Sequence, residues 1–505
     1  MTMSNSRFNT LVVSDLHLGE DLTPCATESS TRHIDRGERQ IVDFLTHYSH
    51  RRDGGRPWRL VIAGDLIDFL AIYLDPDDSR VDEGTPVSDE ERAYGFARRR
   101  DVSPAKVAMV AARHPDFFRA LARFLARGNR AELLCGNHDA ELYWPEVQSA
   151  FRDAVVAAYL ASDDAKRPGA PSAGAIAEAM AFHPWFFYEP GVAWIEHGHQ
   201  YDETCSFEYG LYPTRADREE LVVNADTAAA RYVSNAVDEA DPHSHDAWSF
   251  RGYLSFGIGL GPRQLARLVY AYHKFAAALL HTWRRYAKPS SENRERRDRQ
   301  DARLRELAAG WRVSEETLRR LAGFHRRPII RDLRRLARLV MLDTLIIAVV
   351  GIASAGIVAL AVSAPWNVPA VALVGAISWL AARVSSRGRS VDPSVPLQVL
   401  PERMLRHVDA RYVVFGHTHR PVAQPLENGN WYFNTGTWVP GGKPGLLRSF
   451  THLVIRHTDA GPRAELCQWR DGKSRPFAPS RVVAGRGKPE LAPAEAEIGI
   501  AGVRA

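Results

Sequence analysis

The chain has 505 residues, 45% of them hydrophobic and 25% charged, with a formal net charge of +5. That is ordinary globular usage, long enough for about three average domains and for a core that needs no covalent staples. The four cysteines, Cys25, Cys135, Cys205 and Cys467, are scattered and form no CxxC pair, which argues against a thiol zinc site or a disulfide framework and makes a reducing compartment the default.

The opening segment MTMSNSRFNT carries no apolar run of the secretory kind, so the N-terminal part is expected to stay in the cytosol. From Asn9 to about Gly210 short apolar runs alternate with helical stretches. LVVSD (11–15), LVIAGD (60–65), AELLCGN (131–137) and VAWIEHGH (192–199) each end abruptly in polar residues. The pattern predicts an α/β fold, a sheet covered by helices, with ligands gathering at the carboxyl ends of its strands.

A long insertion is read from about Tyr201 to Pro396. It begins with the amphipathic stretch LARLVYAYHKFAAALLHTW and continues into Arg284–Arg335, where 17 basic and 8 acidic residues leave a net charge of +9. Such an excess points to an anionic partner, a membrane surface or nucleic acid, against the plainer reading of a solvated, salt-bridged helix. Thr344–Ala382 then runs 39 residues without a charge, divided by APWNVP. Arginines flank both sides, and Trp366 and Trp379 sit where interfacial rings are favoured. This predicts a two-helix membrane hairpin, the alternative being a buried hairpin in a soluble core. The sheet pattern returns at ARYVVFGHTHRP and NWYFNTGTWVP, a strand pair follows, and the tail is expected to be mobile. The chain thus divides into 8–205 and 395–475 as two parts of one core, 206–343 as a helical, basic insertion of lid or juxtamembrane type, 344–384 as the hairpin, and 476–505 as the tail.

Five motifs stand at predicted strand ends: DLH with Asp15 and His17, GDLID with Asp65 and Asp68, GNHD with Asn137, His138 and Asp139, HGH with His197 and His199, and GHTH with His417 and His419. A lone Asp-x-His is more often a turn or cap than a ligand pair; the specificity lies in the set. Together they offer carboxylate oxygen, amide oxygen and neutral imidazole, the donors that hard and borderline divalent cations take. Two cations about 3.5–4 Å apart also need a bridging oxygen, which a carboxylate supplies. Asp68 is expected to orient His17 or cap the next helix. His243, His245 and Asp246 form a further cluster, read as solvent-exposed loop histidines rather than a third metal site.

With GHTH followed by FNTGTW, the motif set resembles the calcineurin-like metallophosphoesterase family over roughly residues 8–205 and 395–455. The resemblance implies a four-layer α/β/β/α sandwich with two divalent cations at its strand ends, manganese first, iron or zinc as alternatives. By the family's pattern Asp15, His17, Asp65 and His419 hold one cation, Asp65 bridges, and Asn137, His197 and His417 complete the other. His138 matches the histidine that contacts a phosphoryl oxygen or protonates the leaving group, with Asp139 orienting it. His199 either lines the substrate pocket or supports His197. Within the family the plan is similar to that of the bacterial pyrophosphohydrolases acting on UDP-2,3-diacylglucosamine, which also insert a helical lid. The chain departs from them at His138, where they carry arginine, and at HGH, where they read HGD.

The expected activity is hydrolysis of a phosphoester or pyrophosphate bond by metal-activated water, on a phosphorylated small molecule or a lipid-linked substrate. The chain is placed in the cell inner membrane with its catalytic part cytoplasmic. The alternatives are a nuclease of the same fold, disfavoured because few aromatic residues interleave the arginine run, and an inactive membrane scaffold, which has no need of a full ligand set.

Overall fold

LVV in Asn9–Val13 alternates its contacts as a two-sided buried strand does: Leu11 and Val13 join one apolar cluster and Val12 joins another. The computed structural model describes residues 7–235, 261–286, 290–339, 342–385, 394–439 and 449–477. Its strands are β1 (Asn9–Val13), β2 (Trp58–Ile62), β3 (Arg130–Leu134), β4 (Met180–His183), β5 (Phe186–Glu189), β6 (Ala193–Glu196), β7 (Tyr412–Phe415), β8 (Val422–Pro425), β9 (Trp431–Asn434), β10 (Thr451–Thr458), β11 (Gly461–Arg470) and β12 (Lys473–Pro476). They form two mixed sheets, ordered β12-β11-β10-β1-β2-β3-β4 and β5-β6-β7-β9-β8. β1 to β4 run parallel, as do β6, β7 and β9, while the pairs β1–β10, β5–β6 and β8–β9 are antiparallel.

Three clusters order the layers. Val12, Val61 and Leu134 of the first sheet share a cluster with Ile195, Val414 and Phe433 of the second, so the sheets face each other. The other side of the first sheet, through Leu11, Leu60 and Leu133, is covered by the helices Glu28–His50, Ser103–Arg113, Pro115–Ala126 and Pro145–Leu160. The far side of the second sheet, through Trp194, Val413 and Phe415, is covered by the helices Ser291–Trp311, Glu315–Ala322 and Ser394–Met404. Each fully buried aliphatic side chain contributes roughly 1.5–3 kcal/mol, and burial on both faces explains why these strands read as continuous apolar runs.

Two of those covering helices come from the stretch expected to be a lid or juxtamembrane element: Leu304, Ala308, Leu318 and Leu321 are built into the layer over β6 and β7. Much of the basic charge there is neutralised locally, as in Arg299–Glu295, Arg303–Glu306 and Arg319–Glu315, which matches the plainer, salt-bridged reading. Arg296 is buried and donates to the Thr214 carbonyl at 2.9 Å. Two helices, Leu342–Ala361 and Asn367–Ser385, are long and apolar enough to cross a membrane by length and composition. They touch at Gly351 and Ser378, and most of the exposed large hydrophobic side chains among the described residues lie on them. The histidine cluster at 243–246 and nearly all of the tail lie outside the described residues.

Candidate metal centre

The five motifs converge at the carboxyl ends of β1, β2, β3, β6 and β7. Among the described residues, ligand atoms of Asp15, His17 and His419 lie within 4.8 Å of one another, and so do those of Asp65, His197 and His417. Asn137 joins the second group, its Oδ1 standing 3.1 Å from His197 Nε2, while Asp65 Oδ2 also lies 3.1 Å from that nitrogen. Asp65 reaches the first group through His17 Nε2, 3.9 Å from Oδ2, which places its carboxylate between the two sets.

Local backbone geometry explains why these residues and their glycines occur together. Asp15, His17, Asp65, His417 and His419 all have φ between 50° and 66°, five of the nine non-glycine residues in that region among those described. Left-handed backbone is costly for such residues and concentrates where a site demands it. A Cβ on Gly136 would run into Asp65 Oδ1, and one on Gly64 would meet the His197 ring at 2.5 Å, so both glycines are needed for close approach. The FNTGTW loop supports the first motif: Trp438 N–H donates to the Asp15 carbonyl at 3.0 Å, and Ser14 and Thr435 hydroxyls meet at 2.7 Å.

Outer contacts fix which atoms face inward. A carboxylate only accepts hydrogen bonds, so Asp68 Oδ2, 3.2 Å from His17 Nδ1, puts the proton there and leaves the Nε2 lone pair inward. The Ala63 carbonyl does the same for His197 through Nδ1, at 2.8 Å. Asn137 Nδ2 donates to Asp226 Oδ2 at 2.8 Å, turning Oδ1 inward. His417 Nε2 lies 3.1 Å from Asp202 Oδ2, leaving Nδ1 as its other nitrogen. Asp15 Oδ1 is buried, with His419 Nε2 3.1 Å away. Lone pairs thus converge on lone pairs at Asp65, Asn137 and His197, an arrangement favourable only around positive charge. The donor set fits two divalent cations.

Electrostatics point the same way. Burial favours the neutral acid at Asp65, yet His197, His138 and His17 overcome it and hold the carboxyl well below its ordinary value. Burial also opposes the charged form of His197, but Asp65 raises it to about 9. His138 is raised too, against burial, by Asp68, Asp65 and Asp226. These carboxylates draw in cationic charge, which protons or metal ions can supply.

Asp139 stands elsewhere than expected. Its carboxylate accepts from the backbone N–H groups of Gly136 (2.6 Å) and Leu66 (2.8 Å), binding the GNHD turn to the GDLID loop. Burial pushes its carboxyl up to about 7. His138 is instead oriented by Asp68, whose Oδ1 lies 2.9 Å from its Nδ1. Asp68 therefore serves His17 and His138 together, and also accepts from Ala71 N–H at 3.1 Å. His199 is buried, its ring tilted against His197 at 5.4 Å. Burial holds its pKa well below the ordinary value.

Sequence reasoning did not single out Asp202 and Asp226. Asp202 follows HGH by three residues, an available signal; Asp226 opens a short helix, Ala225–Ala229, with no motif around it. Cys205 also lies beside Asp202 and His417, and burial pushes its thiol well above the ordinary value. No family model matches the chain, and no curated protein matches it.

Proposed function

We propose that the chain is a two-metal phosphoesterase of the calcineurin-like kind, hydrolysing a phosphoester or pyrophosphate bond at a membrane surface. The observation that carries this reading is the inward convergence of Asp65, Asn137 and His197, held from outside by the His138 backbone N–H (2.9 Å to Asp65 Oδ1), Asp226 and the Ala63 carbonyl respectively. Asp15, His17, Asp65 and His419 would hold one cation, and Asp65, Asn137, His197 and His417 the other. Such cations, manganese by preference, would lower the pKa of bound water and polarise a phosphoryl oxygen.

The chain's own groups supply the rest. His138 has its Nδ1 held by Asp68, which fixes the ring and leaves Nε2 on the accessible side, 3.8 Å from Asp226 Oδ2. From there it can hold a phosphoryl oxygen or deliver a proton to the leaving oxygen. Asp139 keeps the loop bearing His138 against the loop bearing Asp65. The layers described above are read as the α/β/β/α sandwich of that family.

The exposed helices Leu342–Ala361 and Asn367–Ser385 are read as a membrane hairpin, since a soluble helix rarely lacks a polar face altogether. His197 precedes the pair and His417 follows it, yet their ligand atoms share one group, so the chain must return to the side it left. Two crossings satisfy this, and arginines on both flanks favour the cytosol as that side. A phosphorylated small molecule or a lipid-linked phosphate fits such a position. The test is metal analysis of the purified protein with a panel of phosphomonoesters, phosphodiesters and nucleotide-diphosphate lipids in added manganese. Protein that takes up no divalent metal and cleaves none of them would overturn the proposal.

A further inference from the structure

Beside the metal centre lies a cavity of about 930 Å³ between residues 69–106 of the core and residues 215–235 and 274–285 of the insertion. Its lining includes Phe69 and Thr227, each next in sequence to a carboxylate of the centre, Asp68 or Asp226. Its size is that of a small-molecule site. Eight cationic and five anionic side chains line it.

Most of those cations are spoken for. Arg98 makes a bidentate pair with Glu141 at 2.6 and 2.7 Å, Arg99 pairs with Glu91 at 3.1 Å, and Arg215 and Arg285 both meet Asp217. Lys106 and Arg231 differ. Lys106 is 2% exposed, and its Nζ donates to the Phe96 carbonyl at 3.3 Å; among the described residues no carboxylate pairs with it. Arg231 donates to the Gly95 carbonyl at 2.9 Å and lies over the Tyr94 and Tyr232 rings, again without a paired carboxylate among the described residues. Burying an ammonium on one carbonyl is unfavourable unless something else brings negative charge. Burial lowers the Lys106 pKa to about 8, with Glu141 and Asp68 raising it and Arg231 and Arg98 lowering it further. The surroundings thus compensate the charge only in part.

We propose that this cavity is a second binding site, distinct from the metal centre, for a small organic phosphate. Lys106 and Arg231 hold the anionic group, and the Tyr94, Phe96 and Tyr232 side of the cavity holds its apolar body. The inference does not depend on the phosphoesterase reading, because it asks only for anion binding.

The test is calorimetric titration of the full-length protein with methylenediphosphonate, whose P–C–P linkage resists hydrolysis, and with inorganic phosphate. The variants are Lys106→Met, Arg231→Gln and, as a control on the metal centre, Asp65→Asn. Wild type and Asp65→Asn should bind with a Kd of about 1 mM or tighter, and each of the other two should weaken binding roughly tenfold or more. Lys106→Met should melt no lower than wild type, because it removes an incompletely compensated buried charge with little change in the side chain's bulk. Undetectable binding to wild type, unchanged binding in both cavity variants, or loss in Asp65→Asn alone would overturn the site. A lower Tm for Lys106→Met would make Lys106 a structural cation and overturn its assigned role.

Discussion

Oδ1 of Asp68 lies 2.9 Å from Nδ1 of His138, while Oδ2 of the same carboxylate lies 3.2 Å from Nδ1 of His17. One buried side chain therefore sets the ring orientation both of a candidate metal ligand and of the residue read as acting on substrate. Because both contacts use Nδ1, both rings turn Nε2 away from Asp68.

This arrangement separates the expected effects of two substitutions. His138→Gln should leave metal content nearly unchanged and lower kcat by roughly 10²–10⁴-fold, with a smaller loss for esters of good leaving groups if the ring is a general acid. Asp68→Asn should lower both, because His17 loses its partner too, with a loss of roughly 10–100-fold in metal affinity or activity. Metal analysis beside steady-state kinetics on a leaving-group series distinguishes them. Metal loss on His138→Gln would make that residue a ligand instead.

Asp65 stands between the two ligand groups. Asp65→Asn removes a negative charge from that position and should reduce bound metal and abolish turnover while circular dichroism stays that of wild type. Full metal occupancy with near-normal activity in this variant is the outcome that sinks the bridging assignment.

Most of the centre was legible because strand ends carry polar residues that a buried apolar run does not otherwise explain. DLH, GDLID, GNHD, HGH and GHTH all fall where such runs stop, and the structure brings their residues together. What failed was inference from adjacency. Asp139 follows His138 directly, yet its carboxylate turns back to Gly136 and Leu66, and the partner of His138 comes from 70 positions away. Asp226 belongs to the insertion and carries no motif, so nothing local announces its contact with Asn137. The short strands β4, β5, β8 and β12 were also missed. At four residues each they lack a readable period, and they lie at or next to sheet edges, where pairing depends on the neighbouring strand.

His452 gives a pH dependence away from the centre. It is fully buried, with Nε2 2.7 Å from Ser474 Oγ, and burial lowers its pKa from 6.5 to about 3. Between those values the unfolded chain binds the proton and the folded one does not, so stability falls as the pH drops below 6.5 and the loss is complete near 3. The slope from this group is at most about 1.4 kcal/mol per pH unit. His452→Gln should flatten the dependence of unfolding free energy on pH across the acid range by up to one proton. An unchanged slope would show that His452 does not carry it.

The hairpin reading predicts that the intact chain resists carbonate extraction and needs detergent. A reporter placed in the Ala364–Asn367 connection should be reached from outside the inner membrane. Deleting 342–385 should release the protein into solution with its metal content retained, because no ligand candidate lies in that stretch. A full-length chain recovered soluble without detergent would refute the hairpin.

β1 lies inside its sheet, parallel to β2 on one side and antiparallel to β10 on the other, with Leu11 opposite both Leu60 and Val454. The second neighbour is therefore not made until the ribosome has added some 440 more residues, roughly 20–90 s at 5–20 residues per second. Through that interval the hydrogen-bonding groups on one side of β1 have no strand to receive them, and Asp15 and His17 wait on His419. An open, apolar strand edge is a template for pairing with another chain. The nascent protein is thus most vulnerable to aggregation before translation ends, and truncations anywhere between β4 and β10 should be recovered as insoluble material rather than as soluble, folded protein.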